Sequence, residues 1–443
     1  MSYTISFKCV ANKIQFVLSV TLILATMAGC GVSGIPQTDS AAPVPPEPIL
    51  AQEVSGGEPL FFLGQGAPLG DGGKDGYYYM SQRADGSFNI RYVDYASRSE
   101  IVLCNRPECT HDNESCTAWR PYGGSEAGAI PIGDGLYTIF YGSGQEGDFA
   151  RYGDLAKMRI EKSAQDGSGT KQLLALEPRQ TLEGGIAADS NTLYMTVQTV
   201  EQEEQGQQTR VTRQIYAVHL QDGTVQKSKT MEQTDLQIIG AADRKLLLRY
   251  YDVAEQLSQT TIEYMVYDVG TGESNPLAFE GTIGTGAVCV KNELCWLDKA
   301  QNAFIKLNFL DGTSTSLPLN MEIAGYEQVR LSEPLQTYAN VYLYGRDGEE
   351  TRALLALNSG ELFPLTMEMD APDDVPNKSI KIFAQVEDDT FLVAQGLSYG
   401  EATLSAGAEE SRFVSSVQYT LAMLPAQSCL ANKADFQPIQ RVS

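Results

Sequence analysis

The chain has 443 residues, with 56 acidic and 32 basic side chains and a formal net charge of −24. A surface this acidic repels polyanions, which argues against nucleic acid and against anionic lipid headgroups as partners. The length exceeds what one simple hydrophobic core usually holds, so it indicates either several domains or a repeat architecture.

The N-terminus has the pattern of an export signal. Lys8 and Lys13 precede an uncharged apolar run over residues 14–28, which is shorter than the roughly 20 apolar residues of a spanning helix. A positive start, a short apolar stretch and small residues at its end predict a secretory signal over residues 1–29. The alternative is an uncleaved anchor.

The junction Met27-Ala28-Gly29-Cys30 resembles the bacterial lipobox, in which the cysteine receives a diacylglycerol and becomes the mature N-terminus. We therefore expect lipidation of Cys30, a membrane partner through that lipid, and an extracytoplasmic location. Ser, Pro, Ala and Gly dominate residues 30–57, which offer too little apolar surface to offset chain entropy. This segment is expected to be a disordered tether ahead of a folded body over residues 58–443.

The body contains a seven-fold repeat. Turn residues followed by an aromatic-rich strand pattern recur at residues 75, 134, 190, 243, 291, 339 and 388, close to the ~40–50 residue period of propeller blades. A short apolar strand precedes each of these patterns, and two strands joined by a tight turn such as Asp222-Gly223 follow it,. Four strands in each unit (A to D) predict an all-β protein, a β-propeller of seven blades, with six or eight as alternatives.

Strand direction predicts where binding occurs. In a meandering blade the B–C loops and the D–A links lie on one face, and the A–B and C–D turns on the other. Three long inserts fall in the first class, at residues 105–127, 141–156 and 199–212. Because scaffolds place binding residues on loops, that rim is the expected functional face, with neutral decoration as the alternative. Trp119 is the aromatic residue that we expect on it.

The stretch LCNRPECTHDNESC, residues 103–116, concentrates the reactive side chains. Four residues separate Cys104 from Cys109 and also His111 from Cys116, and both gaps suit pairs of zinc ligands. The single residue between Cys109 and His111 departs from zinc fingers. One structural zinc ion and a disulfide, with a thiol left over that could pair with Cys429, both stay open. A nucleophilic Cys-His pair is the third reading.

Two further cysteines flank a predicted turn. Cys289 and Cys295 lie on either side of Asn292, and a turn centred on that residue would place them directly opposite one another on strands A and B. Opposed residues lie within disulfide range. A disulfide and a pair of buried free thiols are both open.

The lipobox, the pattern I-x-x-x-x-x-D-G-S-G-x-x-x-L-L over residues 160–174, and the Cys/His string together resemble bacterial surface lipoproteins. Those proteins carry a β-propeller similar to the low-density-lipoprotein-receptor type. The resemblance implies a fold and a location, and it transfers no catalytic residue to this chain.

No motif of a Ser hydrolase, a zinc protease or a P-loop occurs in the chain,. Two hypotheses of function therefore remain. The first is a tethered binding or scaffolding module that recognises a peptide, a protein or a glycan. The second is a carboxylate-based extracellular enzyme of a glycan-processing type, with its site at the rim or the centre of the propeller.

Overall fold

The computed structural model describes residues 59–442 except 65–69, 84, 123–125, 143–145, 203–208, 253–260, 280, 285, 376, 388, 401–402, 408–409 and 415–416. The expected signal, Cys30 and the tether therefore lie outside the described residues. None of the described helices has the length and apolar character needed to span a bilayer.

The described chain forms a ring of seven antiparallel sheets, each built from four strands in the order A-B-C-D. The protein is a seven-bladed β-propeller, so the predicted fold class and blade number are confirmed. The A strands, nearest the centre, are Gly70–Gly72, Ala127–Ile132, Gln180–Ala188, Thr234–Ala242, Val288–Val290, Gln328–Pro334 and Lys381–Val386. The B strands are Gly76–Gln82, Gly135–Phe140, Thr192–Gln202, Lys245–Asp252, Glu293–Asp298, Tyr338–Tyr344 and Thr390–Tyr399.

The outer half of each blade follows the same order. The C strands are Phe88–Asp94, Arg159–Ala164, Thr209–His219, Thr261–Asp268, Ala303–Asn308, Glu350–Ala356 and Val417–Pro425. The D strands are Ser99–Val102, Lys171–Ala175, Val225–Lys227, Ser274–Pro276, Ser314–Pro318, Leu362–Leu365 and Gln437–Pro438. The tight C–D turns predicted from Asp-Gly and related pairs lie where expected in blades 2 to 6.

Seven hydrophobic clusters hold the ring, one between each pair of neighbouring blades. Side chains alternate along a strand, so a blade buried on both faces serves two neighbours. In blade 3, Leu193 and Met195 face blade 2, whereas Tyr194 faces blade 4. This explains why consecutive B-strand residues such as Leu246, Leu247 and Leu248 are apolar and buried, rather than only alternate ones,.

The C-terminus closes the ring. Gln440–Val442 pairs in parallel with Ser99–Val102, the D strand of blade 1, after the chain leaves blade 7. Buried Glu100 joins the two segments, because its carboxylate lies 2.7 Å from the Arg91 guanidinium and 2.9 Å from that of Arg441. The closure is therefore an added outer strand plus an ion triad.

An N-terminal strand lies inside the ring. Phe61–Gly64 pairs antiparallel with Gln180–Ala188, the A strand of blade 3. Just before it, the Leu60 amide donates to the carbonyl of Asp243 over 2.8 Å, in the A–B turn of blade 4. The strand therefore occupies part of the central channel and runs from the A–B turn face towards the opposite face.

The inserts take up more regular structure than the sequence indicated. Residues 141–156 include the helix Glu146–Tyr152 and the 3₁₀ turn Gly153–Ala156. Residues 199–212 were predicted as a loop, but the B and C strands of blade 3 extend into both ends of this stretch. Blade 7 has an additional hairpin over residues 403–414 that the sequence did not predict, followed by the short helix Ala426–Leu430.

Candidate metal centre and central channel

The cysteine-rich segment interrupts strand D of blade 1. Ser99–Val102 pairs with residues 91–94 of strand C; the chain then leaves the sheet and returns as Trp119–Arg120, which pairs with Asn89 and Phe88. The segment 103–118, here called the edge loop, therefore projects from the outer edge of blade 1. The sequence predicted it within the D–A link. The chain order agrees, because the loop follows Ser99–Val102 and precedes Ala127–Ile132, but the structure adds the return strand Trp119–Arg120 on the same strand C.

The edge loop brings the four predicted ligands together. One ligand atom each from Cys104, Cys109, His111 and Cys116 lies within 4.8 Å of all the others. The His111 Nδ1 atom is 3.3 Å from the Cys116 sulfur. The six described cysteines are all free. Cys429 lies in the hydrophobic cluster between blades 6 and 7 and is no partner for these thiols.

Local backbone features make this convergence possible. Glu108 and His111 adopt left-handed conformations, with φ of 59° and 55°, which turn the chain sharply on either side of Thr110. The Asn113 side chain accepts from the Ser115 amide at 3.0 Å, and the Asn113 carbonyl accepts from the Cys116 amide at 3.0 Å. This Asx turn and the β-turn that follows it fold the second half of the loop back onto the first.

The surroundings shift the pKa values of two of the thiols, Cys104 and Cys116, in opposite directions. Burial raises the pKa of Cys104, but hydrogen bonds from the Arg106 amide and from Thr117 outweigh it and lower that pKa to about 7. Deeper burial raises the pKa of Cys116 to about 11, against hydrogen bonds from the Ala118 and Trp119 amides. Backbone amides therefore donate to two of the sulfur atoms in this loop, and at Cys104 alone of the two the hydrogen bonds outweigh burial,.

A buried ion cluster fixes the end of the edge loop to blade 2. The Arg120 guanidinium lies 3.2 Å from Glu161 and donates to Thr170 at 2.8 Å. Arg159 also pairs with Glu161 at 2.9 Å and lies over the Phe140 ring, 3.8 Å from its centroid. Desolvation lowers the pKa of both arginines while Glu161 opposes that shift. The edge loop is thus tied to two blades.

Trp119 is half-buried and packs against the hydrophobic cluster between blades 1 and 2. It lines a depression of about 430 Å³ together with Cys116, Arg120 and Thr170. A role for Trp119 in binding stays a prediction.

The predicted opposition of Cys289 and Cys295 is wrong. Val290 pairs with Glu293, so the turn has two residues rather than three, and Cys289 lies opposite Leu294. Cys295 then points to the other face of blade 5: it packs towards blade 6, whereas Cys289 packs towards blade 4. Both are buried free thiols, which agrees with the second of the two readings.

The A strands and the N-terminal strand enclose a central channel with a cavity of about 1030 Å³. Its lining comes from blades 1, 4, 5, 6 and 7, because the N-terminal strand covers the A strand of blade 3. Aromatic side chains in the lining include Tyr77, Phe383 and Phe61, the last of which is 41% exposed. Space, aromatic surface and polar groups are the features of a ligand site.

The charges in the lining are unequal at the two ends. We call the end of the channel on the face of the B–C loops the insert mouth. It is lined by three basic residues, which lie at the level where the A strands begin: Arg249, Arg330 and Lys381. The opposite end, the turn mouth, has Asp243 and Lys291 from A–B turns. Among the described lining residues, the insert mouth therefore has three cations and no carboxylate, in a chain of formal net charge −24.

The three cations come from three blades. The Arg249 guanidinium donates to the Gln237 side chain, and its Nε atom is buried without a partner. Arg330 is exposed. The Lys381 ammonium lies 5.4 Å from the Phe383 ring centroid and 5.7 Å from that of Tyr419. Sequence reasoning missed this set, whose successive members are isolated basic residues 81 and 51 positions apart.

Comparison with known proteins adds little beyond the fold. No family model matches the chain, and no curated protein matches it significantly. Solved structures that it is similar to include TolB from Acinetobacter baumannii, with 13% identity, 72% of this chain and 75% of that chain covered, and a TM-score of 0.29. A putative 6-phosphogluconolactonase from Bacteroides fragilis has 10% identity, coverage of 84% and 99%, and a TM-score of 0.33.

A prolyl endopeptidase structure has 10% identity and a TM-score of 0.41, with 76% of this chain and 47% of that chain covered. The match thus spans about half of that endopeptidase. At such low TM-scores, none of these likenesses carries an argument about function.

Proposed function

We propose that this protein is a lipid-anchored, extracytoplasmic binding module that holds an anionic peptide or glycan at the insert mouth of its channel. The observation that carries the proposal is the cation set of Arg249, Arg330 and Lys381 in the described lining. On a chain of formal net charge −24, cations gathered without a carboxylate among them form a local positive field,. That field would attract an anion that the rest of the surface repels.

The depth of the site adds to this argument. Arg249 is half-buried, so its charge is screened less than that of exposed Arg330 and discriminates better between charged and neutral ligands,. The Phe383 ring, which lines the cavity beside Lys381, offers apolar surface to a sugar ring or an aromatic side chain. A cavity of about 1030 Å³ has room for a few such units.

The binding hypothesis is favoured over a carboxylate enzyme. Glycan hydrolysis by the usual route needs two carboxyl groups about 5–9.5 Å apart. Asp243 is the one acidic residue among the described lining residues, and it lies at the turn mouth. A bound ligand is therefore expected to leave chemically unchanged.

The path of the N-terminal strand supports the tethered orientation. Pro59 and Leu60 lie beside the A–B turn of blade 4, and the chain runs from there to the insert mouth. With a lipid on Cys30, the insert mouth would then face away from the membrane, towards ligands from outside.

The test uses the full chain in detergent and an array of acidic, neutral and basic peptides and glycans, followed by mass analysis of the bound species. We expect intact acidic ligands to be retained, and binding to weaken with rising salt. Arg330→Ala should reduce affinity about tenfold, which corresponds to about 1.4 kcal/mol. Lys291→Ala, at the turn mouth, is the matched control and should bind normally.

Equal retention of neutral and acidic ligands, with no effect of Arg330→Ala, would contradict the proposal. A ligand released in a shortened form would instead support the enzyme hypothesis.

A further inference from the structure

We propose that Cys104, Cys109, His111 and Cys116 bind one zinc ion in a closed Cys₃His site that locks the edge loop against blades 1 and 2. This inference is independent of the proposed ligand at the insert mouth. It rests on the geometry of the four side chains, on the groups around them and on the two blades that the loop joins.

The geometry suits a tetrahedral ion. In a Cys₃His zinc site the sulfur–sulfur separations are about 3.8 Å and the nitrogen–sulfur separations about 3.5 Å, as Zn–S bonds of about 2.3 Å and Zn–N bonds of about 2.0–2.1 Å require. The four ligand atoms here lie within 4.8 Å of one another, and the His111–Cys116 pair is already at 3.3 Å. An ion needs only small side-chain adjustments to reach all four.

A disulfide accounts for less of this arrangement. A bridge would use two of the three sulfurs and leave the third thiol and the imidazole beside it without a role. All four groups converge on one point. The backbone adopts the left-handed conformation at two non-glycine residues, Glu108 and His111, where the loop turns to bring them there. Convergence of three thiols with an imidazole is the pattern of a structural zinc site.

The surroundings compensate the charge of such a site. Three thiolates and one Zn²⁺ have a net charge of −1, and the arginines near the loop can balance it. Arg83 donates to the His111 carbonyl at 3.2 Å, and Arg106 donates to the Ser115 carbonyl. Amides that donate to the cysteine sulfurs orient ligands in the same way,.

The chemistry of the donors selects the metal and the role. Thiolate sulfur disfavours calcium and magnesium, and a tetrahedral set of three sulfurs and one nitrogen favours zinc. Four protein ligands leave no open position for water or substrate, so the site is structural rather than catalytic. Metal-bound thiolates would also be withheld from the oxidation to which free extracytoplasmic thiols are prone.

A zinc ion in the edge loop would stabilise the interface between blades 1 and 2. The edge loop begins and ends on strand C of blade 1, and Arg120 at its end binds Glu161 on strand C of blade 2. An ion inside the loop would rigidify the segment that carries this contact. Metal binding and the order of the edge loop should therefore be coupled.

The experiment measures zinc in the full chain, purified in detergent without chelator, by elemental analysis together with intact mass before and after reduction. We expect about one zinc for each chain and no mass change on reduction. Replacement of zinc by cobalt should give the intense visible absorption of a tetrahedral cobalt–thiolate centre. Removal of the metal should speed proteolytic cleavage between residues 105 and 115.

Variants locate the metal. Cys109→Ser and His111→Ala should each lose most of the zinc. Cys429→Ser and His219→Ala remove a thiol and an imidazole elsewhere in the fold, and both should keep it. The proposal would be overturned if the wild-type chain contained no metal and gained two daltons on reduction, localised to this loop. It would also be overturned if zinc survived Cys109→Ser and was lost in a control variant. The metal content and intact mass of the wild-type chain already distinguish zinc from a disulfide. The proposal therefore stays testable even if one of the variants fails to fold.

Discussion

Removal of the charge of Glu100 should destabilise the fold at the junction between blade 1 and the C-terminal strand. The Glu100 side chain is 3% exposed and pairs with Arg91, which is 17% exposed, and with Arg441, which is 45% exposed. Glu100→Gln keeps the shape but leaves the guanidinium of Arg91 without its counter-ion in a poorly hydrated place. Breaking a buried pair costs about 3–5 kcal/mol, so with partly hydrated arginines we expect a loss of about 2–3 kcal/mol.

Urea unfolding, followed by tryptophan fluorescence, measures this loss as a lower transition midpoint. Arg441→Ala should cost about 1 kcal/mol or less, because its side chain is well hydrated. The matched control is Glu293→Gln in the cross-strand pair with Lys306, which lies within blade 5 and should cost under about 1 kcal/mol. An effect of Glu100→Gln no larger than that of this control would refute the idea that the buried ion triad stabilises the fold.

Three further predictions follow from named positions. Cys30→Ser should release the protein into the medium or block its processing, as fractionation would show; a protein retained in membranes with its signal uncleaved would point to a permanent anchor. Gly185→Ala should lower the free energy of unfolding by more than about 2 kcal/mol, which is about what backbone strain alone can cost. The reason is that φ at Gly185 is +72° and a Cβ would lie 1.6 Å from the Ile238 carbonyl oxygen. A near-normal midpoint in urea unfolding would contradict that packing. Cys289 and Cys295 should both be alkylated in unfolded, unreduced protein, whereas a cross-linked peptide would restore the predicted disulfide.

The blades were predictable because their determinants are local. A two-residue alternation, Asp-Gly turns and apolar B strands are all contained within about 20 residues of chain, and they require the meander that the structure has. The register of blade 5 was predicted wrongly for an equally local reason. The two-residue turn of blade 5 requires a φ of 55° at Lys291. Positive φ is uncommon for lysine, so the sequence contained no sign of a turn this short and favoured a three-residue turn.

The features that define the candidate sites depend on distant partners. Phe61 pairs with Ala188 and Gln440 with Ser99, and no periodicity within a segment indicates either contact. The interruption of strand D was missed because its return, Trp119–Arg120, has two residues. The four Cys/His side chains of the edge loop could be singled out because they are close together in the sequence, whereas the cations of the insert mouth lie on blades 4, 6 and 7.

A crystal structure of the protein with the acidic ligand that binds it best tests the central claim most directly. We predict ligand density in the insert mouth, with the anionic groups within hydrogen-bond distance of Arg330 and Lys381 and with the ligand chemically intact. Density confined to the outer edge beside Trp119, with an empty channel, would contradict the account.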